Sequence, residues 1–186
     1  MTADIAKTLR DAVVGRRSFL VMAVPRLAGK TTVMRAMLAE LPRGVPVRAI
    51  GIDGDDIDAL LAEARGGYFV IPEIAEGPWA PGYIRGAPVR TIFHGLGNGV
   101  SLAAALHAPD PETAFQIICV ANRVPDADAA KISLTVYLRS LGADWREPER
   151  RVVAAVHGIE GVSGGKPRAR LLHRWNERTN RFENGD

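Results

Sequence analysis

Ser18-Phe-Leu-Val-Met-Ala-Val24 runs without a charge into Pro25-Arg26-Leu27-Ala28-Gly29-Lys30-Thr31-Thr32, and then into Val33, Met34, Met37, Leu38 and Leu41. The first segment is a nearly continuous apolar run of strand length, as a strand buried on both faces needs. The last recurs at spacings of three and four until Pro42 stops it, which is the period of a helix. Between strand and helix, a phosphate-binding loop has the form G-x-x-x-x-G-K-[ST]. Such a loop turns its backbone N–H groups inward around phosphate oxygens at the helix N-terminus. Its lysine reaches the β- and γ-phosphates, and its hydroxyl serves Mg²⁺. Gly29, Lys30 and Thr31 supply the second half of that pattern, whereas Val24 stands at the first glycine position. A β-branched residue resists the positive φ that glycine takes. The stretch therefore reads as a degenerate phosphate loop in which residues 25–32 surround the phosphates of a nucleotide.

The flanking sequence sets this loop in an α/β pattern. Upstream, Ile5, Leu9 and Ala12 predict a short helix over residues 2–12. Downstream, residues 45–52 read as a second strand, closed by Asp53-Gly54. Ile57, Leu60, Leu61 and Ala64 form a short helix ended by Gly66-Gly67, and residues 68–71 are a third buried strand. Strands alternating with helices argue for a parallel sheet with helical crossovers. Residues 72–99 are rich in Gly and Pro and predict a long loop, with a turn of helix around residues 89–94. Residues 100–107 are a fourth apolar strand, and residues 111–124 a helix with Ala114, Phe115, Ile118 and Ala121 on one face. Then the period changes. Ile132, Leu134, Val136 and Leu138 alternate with Ser133, Thr135, Tyr137 and Arg139, the signature of a half-exposed strand. Residues 151–158 and 169–174 read as two more, with glycine-rich turns at 158–165 and a frayed end at 183–186. The C-terminal third is thus expected to extend the sheet as antiparallel hairpins, all within one domain spanning residues 1–186.

Composition narrows the function classes. The chain has 186 residues and 20.0 kDa, with 47% apolar and 24% charged residues, the balance of a globular protein. One cysteine, Cys119, cannot form an internal bridge, so a disulfide scaffold is excluded. No apolar run approaches the ~20 residues of a membrane span, and Met1 to Arg10 lack a signal-peptide core. A cytoplasmic location is expected. The net charge is +3, carried by 20 arginines against four lysines. Residues 146–181 hold nine of these cations against four glutamates. This basic bias favours phosphate groups, but +3 is modest for a dedicated nucleic-acid binder.

Two further positions carry chemistry. Gly67-Tyr-Phe-Val-Ile-Pro-Glu73 is a buried strand ending in a carboxylate. In parallel sheets ligands sit at the C-terminal ends of the strands, and an acid there can organise Mg²⁺ or polarise an attacking water. Asp55 and Asp56 read as helix N-terminal residues, and Asp53 is open to either role. His107 ends the fourth strand. His94, His157 and His173 show no ligand spacing with it or one another, so no zinc site is expected.

In this order the motifs resemble those of the motor ATPases of type II and type IV secretion and of type IV pili. Residues 19–32 look like that family's strand and phosphate loop, and residues 59–73 its helix and acid-bearing strand. Residues 98–110 are similar to its histidine box, and residues 151–161 to the arginine-led strand that follows in the secretion branch. The resemblance covers roughly residues 15–175. It implies a P-loop NTPase fold with a RecA-like, mostly parallel sheet flanked by helices, and ATP and Mg²⁺ as cofactors. It also implies Glu73 as the residue that activates water, His107 as a sensor of the γ-phosphate, and Thr31 with Glu73 as the metal ligands. Partners would be the nucleotide and the proteins of a secretion or pilus-like assembly, with homo-oligomers compatible. Departures are Val24 and Leu27 in place of loop glycines, Ala75 in place of an arginine, and an acidic segment compressed to Ile52-Asp53. An alternative reading is a non-hydrolysing relative acting as a nucleotide-sensing or protein-interaction subunit. A third, a small-molecule kinase, requires an acceptor pocket that the sequence does not identify. The family's N-terminal domain, which helps build its hexameric ring, is expected to be lacking. The chain alone is accordingly expected to form no tight hexamer; sedimentation showing a stable ring at micromolar concentration without nucleotide would contradict this.

Overall fold

A computed structural model describes residues 2–24, 28–51, 55–75, 83–144 and 146–185. Pro25, Arg26, Leu27 and Asp53, all singled out from the sequence, lie outside the described residues. The elements in order are α1 (Ala3–Val14), β1 (Ser18–Ala23), α2 (Lys30–Leu38), β2 (Val47–Ala49), α3 (Ile57–Glu63), β3 (Gly67–Ile74), β4 (Tyr83–Ile84) and α4 (Ala87–Gly95). They continue with β5 (Val100–Leu106), α5 (Pro111–Phe115), a π-helix (Gln116–Ala121), α6 (Asp126–Ala129), β6 (Ile132–Leu141), β7 (Arg150–Ser163), β8 (Lys166–Asn176) and β9 (Arg181–Asn184).

These strands form one sheet in the order β2-β3-β5-β1-β6-β7-β8-β9, with β4 paired to β3. Pairing is parallel from β2 through β6 and antiparallel from β6 through β9. The expected architecture, a mostly parallel α/β sheet extended by antiparallel C-terminal strands, is the one observed. β1 lies between β5 and β6, and all six of its residues are buried. Successive side chains point to opposite faces, so β1 serves two cores. Phe19 and Val21 pack with Ile5, Leu9 and Val13 of α1 and Met34 and Met37 of α2. Leu20 and Met22 pack on the other face with Leu61, Val89, Phe93 and Phe115 from α3, α4 and α5. Among the described residues, no helix is long and apolar enough to cross a membrane.

The structure corrects several local readings. The segment read as a loop over residues 72–99 contains the end of β3, the short strand β4 and a full α4. Pro88 in the first turn and Gly86 before it, at φ 69°, set the helix start. β6 keeps the expected alternation, with Ile132, Leu134, Val136 and Leu138 buried and Ser133, Tyr137 and Arg139 half-buried, and departs from it only at Thr135, which is fully buried. Residues 158–163 are strand, and the turn narrows to Gly164-Gly165, both at positive φ. Asp126 accepts hydrogen bonds from both of their N–H groups and ties the hairpin tip to α6. The tail expected to fray pairs instead: β9 lies against β8 with His173 opposite Asn184, and Gly185 N–H bonds the Leu172 carbonyl.

Tyr68 ties β3 to β1 and to the segment that leads into it. Its ring is fully buried against Phe19 at 5.8 Å between centroids, and its hydroxyl donates to the Arg17 carbonyl at 2.8 Å. Burial holds the phenol well above its ordinary value of 10.0. The folded state therefore keeps a proton that the unfolded chain gives up in alkali. This contribution to stability is complete below pH 10 and is lost as the pH rises further. Tyr68→Phe is expected to flatten the loss of stability above pH 10 while costing about 1 kcal/mol at neutral pH. Urea unfolding at pH 7, 10 and 11 measures both.

Candidate functional site

The parallel strands β1, β3 and β5 all point their C-terminal ends at one edge of the sheet, and their registers bring those ends level. Met22 lies opposite Leu106, and Leu106 opposite Ile74. The residues that follow or end these strands therefore meet. Gly29 N-caps α2 in the left-handed conformation at φ 94°, ψ 21°. That turn, open mainly to glycine, swings the chain so that the first turn of α2 faces the strand ends. Ala28 is buried, Gly29 and Lys30 are half-buried, and Thr31 and Thr32 are exposed.

Lys30 Nζ lies 3.3 Å from Glu73 Oε2 and 3.3 Å from both ring nitrogens of His107. His107 Nε2 is in turn 3.6 Å from Glu73 Oε1. The Lys30 and Glu73 side chains are 10% and 9% exposed, so both charges are largely removed from water. Such burial is costly unless each ion has a partner, and here each compensates the other. His107 Nδ1 sits 3.2 Å from the Ala23 carbonyl. An Nδ1–H donating to that carbonyl leaves the Nε2 lone pair to accept from Lys30, which assigns the tautomer. The three residues drawn from separate stretches of sequence thus form one contiguous polar cluster.

The cluster borders a cavity of about 850 Å³ that also takes in Ala28, Gly29, Thr31 and Thr32. Every described position of the sequence-predicted loop is therefore at this cavity. Its opposite wall was not foreseen from sequence. Leu138, Val152 and Val153 supply an apolar surface, and Tyr83 and Arg151 line the rim. Arg151 belongs to the strand noted for its resemblance, and its Cδ lies 3.4 Å from where a Cβ on Gly29 would be. Only the antiparallel register of β7 on β6, with Arg151 opposite Ser140, sets it over the loop. Tyr83 lay in a segment read as loop, and its place follows from its parallel pairing opposite Glu73.

Other candidates lie elsewhere. Asp56 N-caps α3, accepting from Ala59 N–H at 3.0 Å, and Asp55 accepts from Gly51 N–H. His173 bridges Thr8 of α1 and Asn184. Burial pushes the Cys119 thiol up to about 11, which keeps it protonated and inert at neutral pH. Among the described residues no group of three or more His, Cys, Asp or Glu could hold a metal ion. Mg²⁺ at a nucleotide needs fewer, because phosphate oxygens and water complete its shell. The Thr31 hydroxyl and the Glu73 carboxylate, both at the cavity, fit that requirement.

No protein-family model matches the sequence, and no curated protein matches it. The fold is similar to that of a solved structure, the VirB11 ATPase from the Brucella suis type IV secretion system in complex with sulphate. The TM-score is 0.58 at 17% sequence identity, over 82% of this chain and 51% of that one. The chain thus spans about half the length of that protein. At this identity the likeness is one of fold, and it supports a secretion-ATPase-like arrangement of strands and helices.

Gly29→Ala tests the loop geometry directly. The added Cβ meets Arg151 only at ordinary contact distance, so the cost comes from the left-handed backbone. The substitution is expected to lower stability by about 1–2 kcal/mol. Calorimetry showing an unchanged melting temperature would mean that the loop relaxes out of this conformation freely.

Proposed function

We propose that the chain is a nucleotide-binding protein of the ATPase type that holds Mg-ATP at this degenerate phosphate loop. The observation that carries the reading is the meeting of Lys30, Glu73 and His107 within 3.3–3.6 Å at the C-terminal edge of the parallel strands. The cavity is of nucleotide size. The similar VirB11 protein was solved with sulphate, a tetrahedral oxyanion like phosphate.

In this reading the backbone N–H groups at the start of α2 receive phosphate oxygens, since the first turn of a helix leaves them without partners in the helix. The Lys30 ammonium exchanges its contact with Glu73 for a phosphate oxygen. Glu73 Oε2, released from the ion pair, orients a water and accepts its proton. His107, its Nδ1–H held by the Ala23 carbonyl, contacts the terminal phosphate through Nε2 when that nitrogen also takes up a proton. The apolar wall of Leu138, Val152 and Val153 receives the base. Thr31 and Glu73 would hold Mg²⁺, which would supply neutralisation of the phosphate charge. A secretion or pilus-like assembly is the partner class that the fold likeness favours.

One observation favours the second reading, a subunit that binds nucleotide or protein without hydrolysis. Val24 is 45% exposed and does not take a positive φ, so the chain leaves β1 without the turn a first glycine provides. Val24→Gly is expected to tighten Mg-ATP binding where the loop is merely impaired.

Three variants separate the readings. Lys30→Ala is expected to weaken Mg-ATP binding by about 1.5–3 kcal/mol in calorimetric titration. Glu73→Gln removes the negative partner of Lys30, so it is expected to leave affinity near normal or tighter while hydrolysis falls ~10²–10⁴-fold. Intact binding with no hydrolysis in the wild type selects the second reading. If neither Lys30→Ala nor Val24→Gly alters ATP affinity, the nucleotide reading is wrong.

A further inference from the structure

Asn122 is 1% exposed, and its side-chain amide is fully engaged. Nδ2 donates to the Ala75 carbonyl at 3.0 Å and the Ile117 carbonyl at 2.9 Å, and Oδ1 accepts from Gly86 N–H at 2.6 Å. Two carbonyls on one side and an N–H on the other leave a single orientation of the amide. Arg90 Nη1 donates to the Asn122 carbonyl at 3.0 Å and braces its backbone.

The two outlying anchors belong to the unit that carries the site. Ala75 follows Glu73 by two residues, and Gly86 follows Tyr83 by three. Glu73 and Tyr83 are paired across β3 and β4, as are Ile74 and Ile84, and Ala75 N–H bonds the Ile84 carbonyl. Asn122 therefore grips both strands of this small parallel pair beyond its end. The grip matters because β5 holds β3 poorly there. The register shifts between Ile71, opposite Ala104, and Ile74, opposite Leu106, so three steps on β3 face two on β5. Pro72 within that shift has no N–H to donate. A bulge of this kind re-aims a side chain and here turns on Glu73.

The π-helix explains how Asn122 reaches across. Asn122 N–H bonds the Ile117 carbonyl, five residues back. One residue inserted into an α-helical path rotates everything after it by roughly 100° about the axis. The inserted residue turns Asn122 onto Ala75 and Gly86.

We propose that Asn122 is a positioning residue for Glu73, holding the β3–β4 pair so that the carboxylate meets Lys30 in the free protein and the attacking water when nucleotide is bound. This rests on the reading of Glu73 given above. Misplacement of a reacting group by about 1 Å costs on the order of 10²-fold in rate, whereas the loop that binds phosphate is untouched by Asn122. The test uses Asn122→Ala and Asn122→Asp, the latter keeping the size and the Gly86 acceptor. Carbon-13 NMR of the glutamate carboxyls, with Glu73 assigned by Glu73→Gln, reads its surroundings at fixed pH. Steady-state hydrolysis and calorimetry with Mg-ATP give kcat and Kd. Expected are a displaced Glu73 resonance, a kcat lower by roughly 10²-fold with Kd within about threefold, and no further loss when Asn122→Ala is added to Glu73→Gln. A folded variant with the Glu73 resonance unmoved, or losses that simply add to those of Glu73→Gln, overturns the proposal. Failure of both variants to fold at low temperature also overturns it, marking Asn122 as a residue of core stability. A wild type that neither binds nor hydrolyses Mg-ATP defeats the nucleotide reading instead, and the resonance alone then decides the role of Asn122.

Discussion

β1 is buried along its whole length and paired in parallel on both sides, and the rest of the molecule is arranged around that constraint. A strand with no exposed residue needs a neighbour on each edge and a layer of structure on each face. β5 and β6 supply the edges, and the helices divide between the faces, α1 and α2 on one and α3 to α6 on the other. Parallel pairing also aligns strand ends. Because β1, β3 and β5 finish at the same edge, the loop after β1, the carboxylate in β3 and the imidazole after β5 have nowhere else to gather. Lys30, Glu73 and His107 are a consequence of sheet polarity as much as of their own chemistry.

The sheet shifts register in several places, at Ser18/Phe19, Tyr137/Leu138, Val156/His157 and Ile159/Gly161 as well as within β3, and three irregularities bear on the polar cluster. Gly29 takes a left-handed turn, β3 shifts register between Ile71 and Ile74, and the helix after α5 widens to a π-helix. Each departure gives up favourable local geometry, and each moves a polar group toward or onto the cluster: the start of α2, Glu73, and Asn122 on Ala75.

The antiparallel extension has a separate task. β7 runs back along β6 and brings Arg151, Val152 and Val153 over the loop. Its far end is pinned by Asp126 at the hairpin turn, and β8 is pinned to α1 through His173 and Thr8. These ties are short and polar, and they add to the packing of Ile159, Val162, Leu172 and Phe182 of the antiparallel strands against the two cores. The cavity is therefore a seam, with Gly29 and the start of α2 on the parallel side and an apolar wall on the antiparallel side.

Local chemistry was enough to read the strands β1, β3 and β5 and the helix after Gly29. Apolar runs, helical spacing and Gly-Lys-Thr act over a few residues; the strand-end rule for parallel sheets then singled out Glu73, and the family resemblance singled out His107. The same local view read residues 72–99 as loop with only a turn of helix at 89–94, because α4 buries only Val89, Ile92 and Phe93 and its start depends on Gly86. It took Thr135 for an exposed position, because alternation along a strand does not reveal what covers the strand. Arg151, Tyr83 and Asn122 became visible only with the tertiary structure. Their roles depend on register between strands distant in sequence and on a one-residue insertion in a helix, and neither leaves a periodic trace in the residues themselves. Which residues can carry charge and chemistry is a property of the chain; which of them share a low-dielectric pocket is decided by the pairing of the whole sheet.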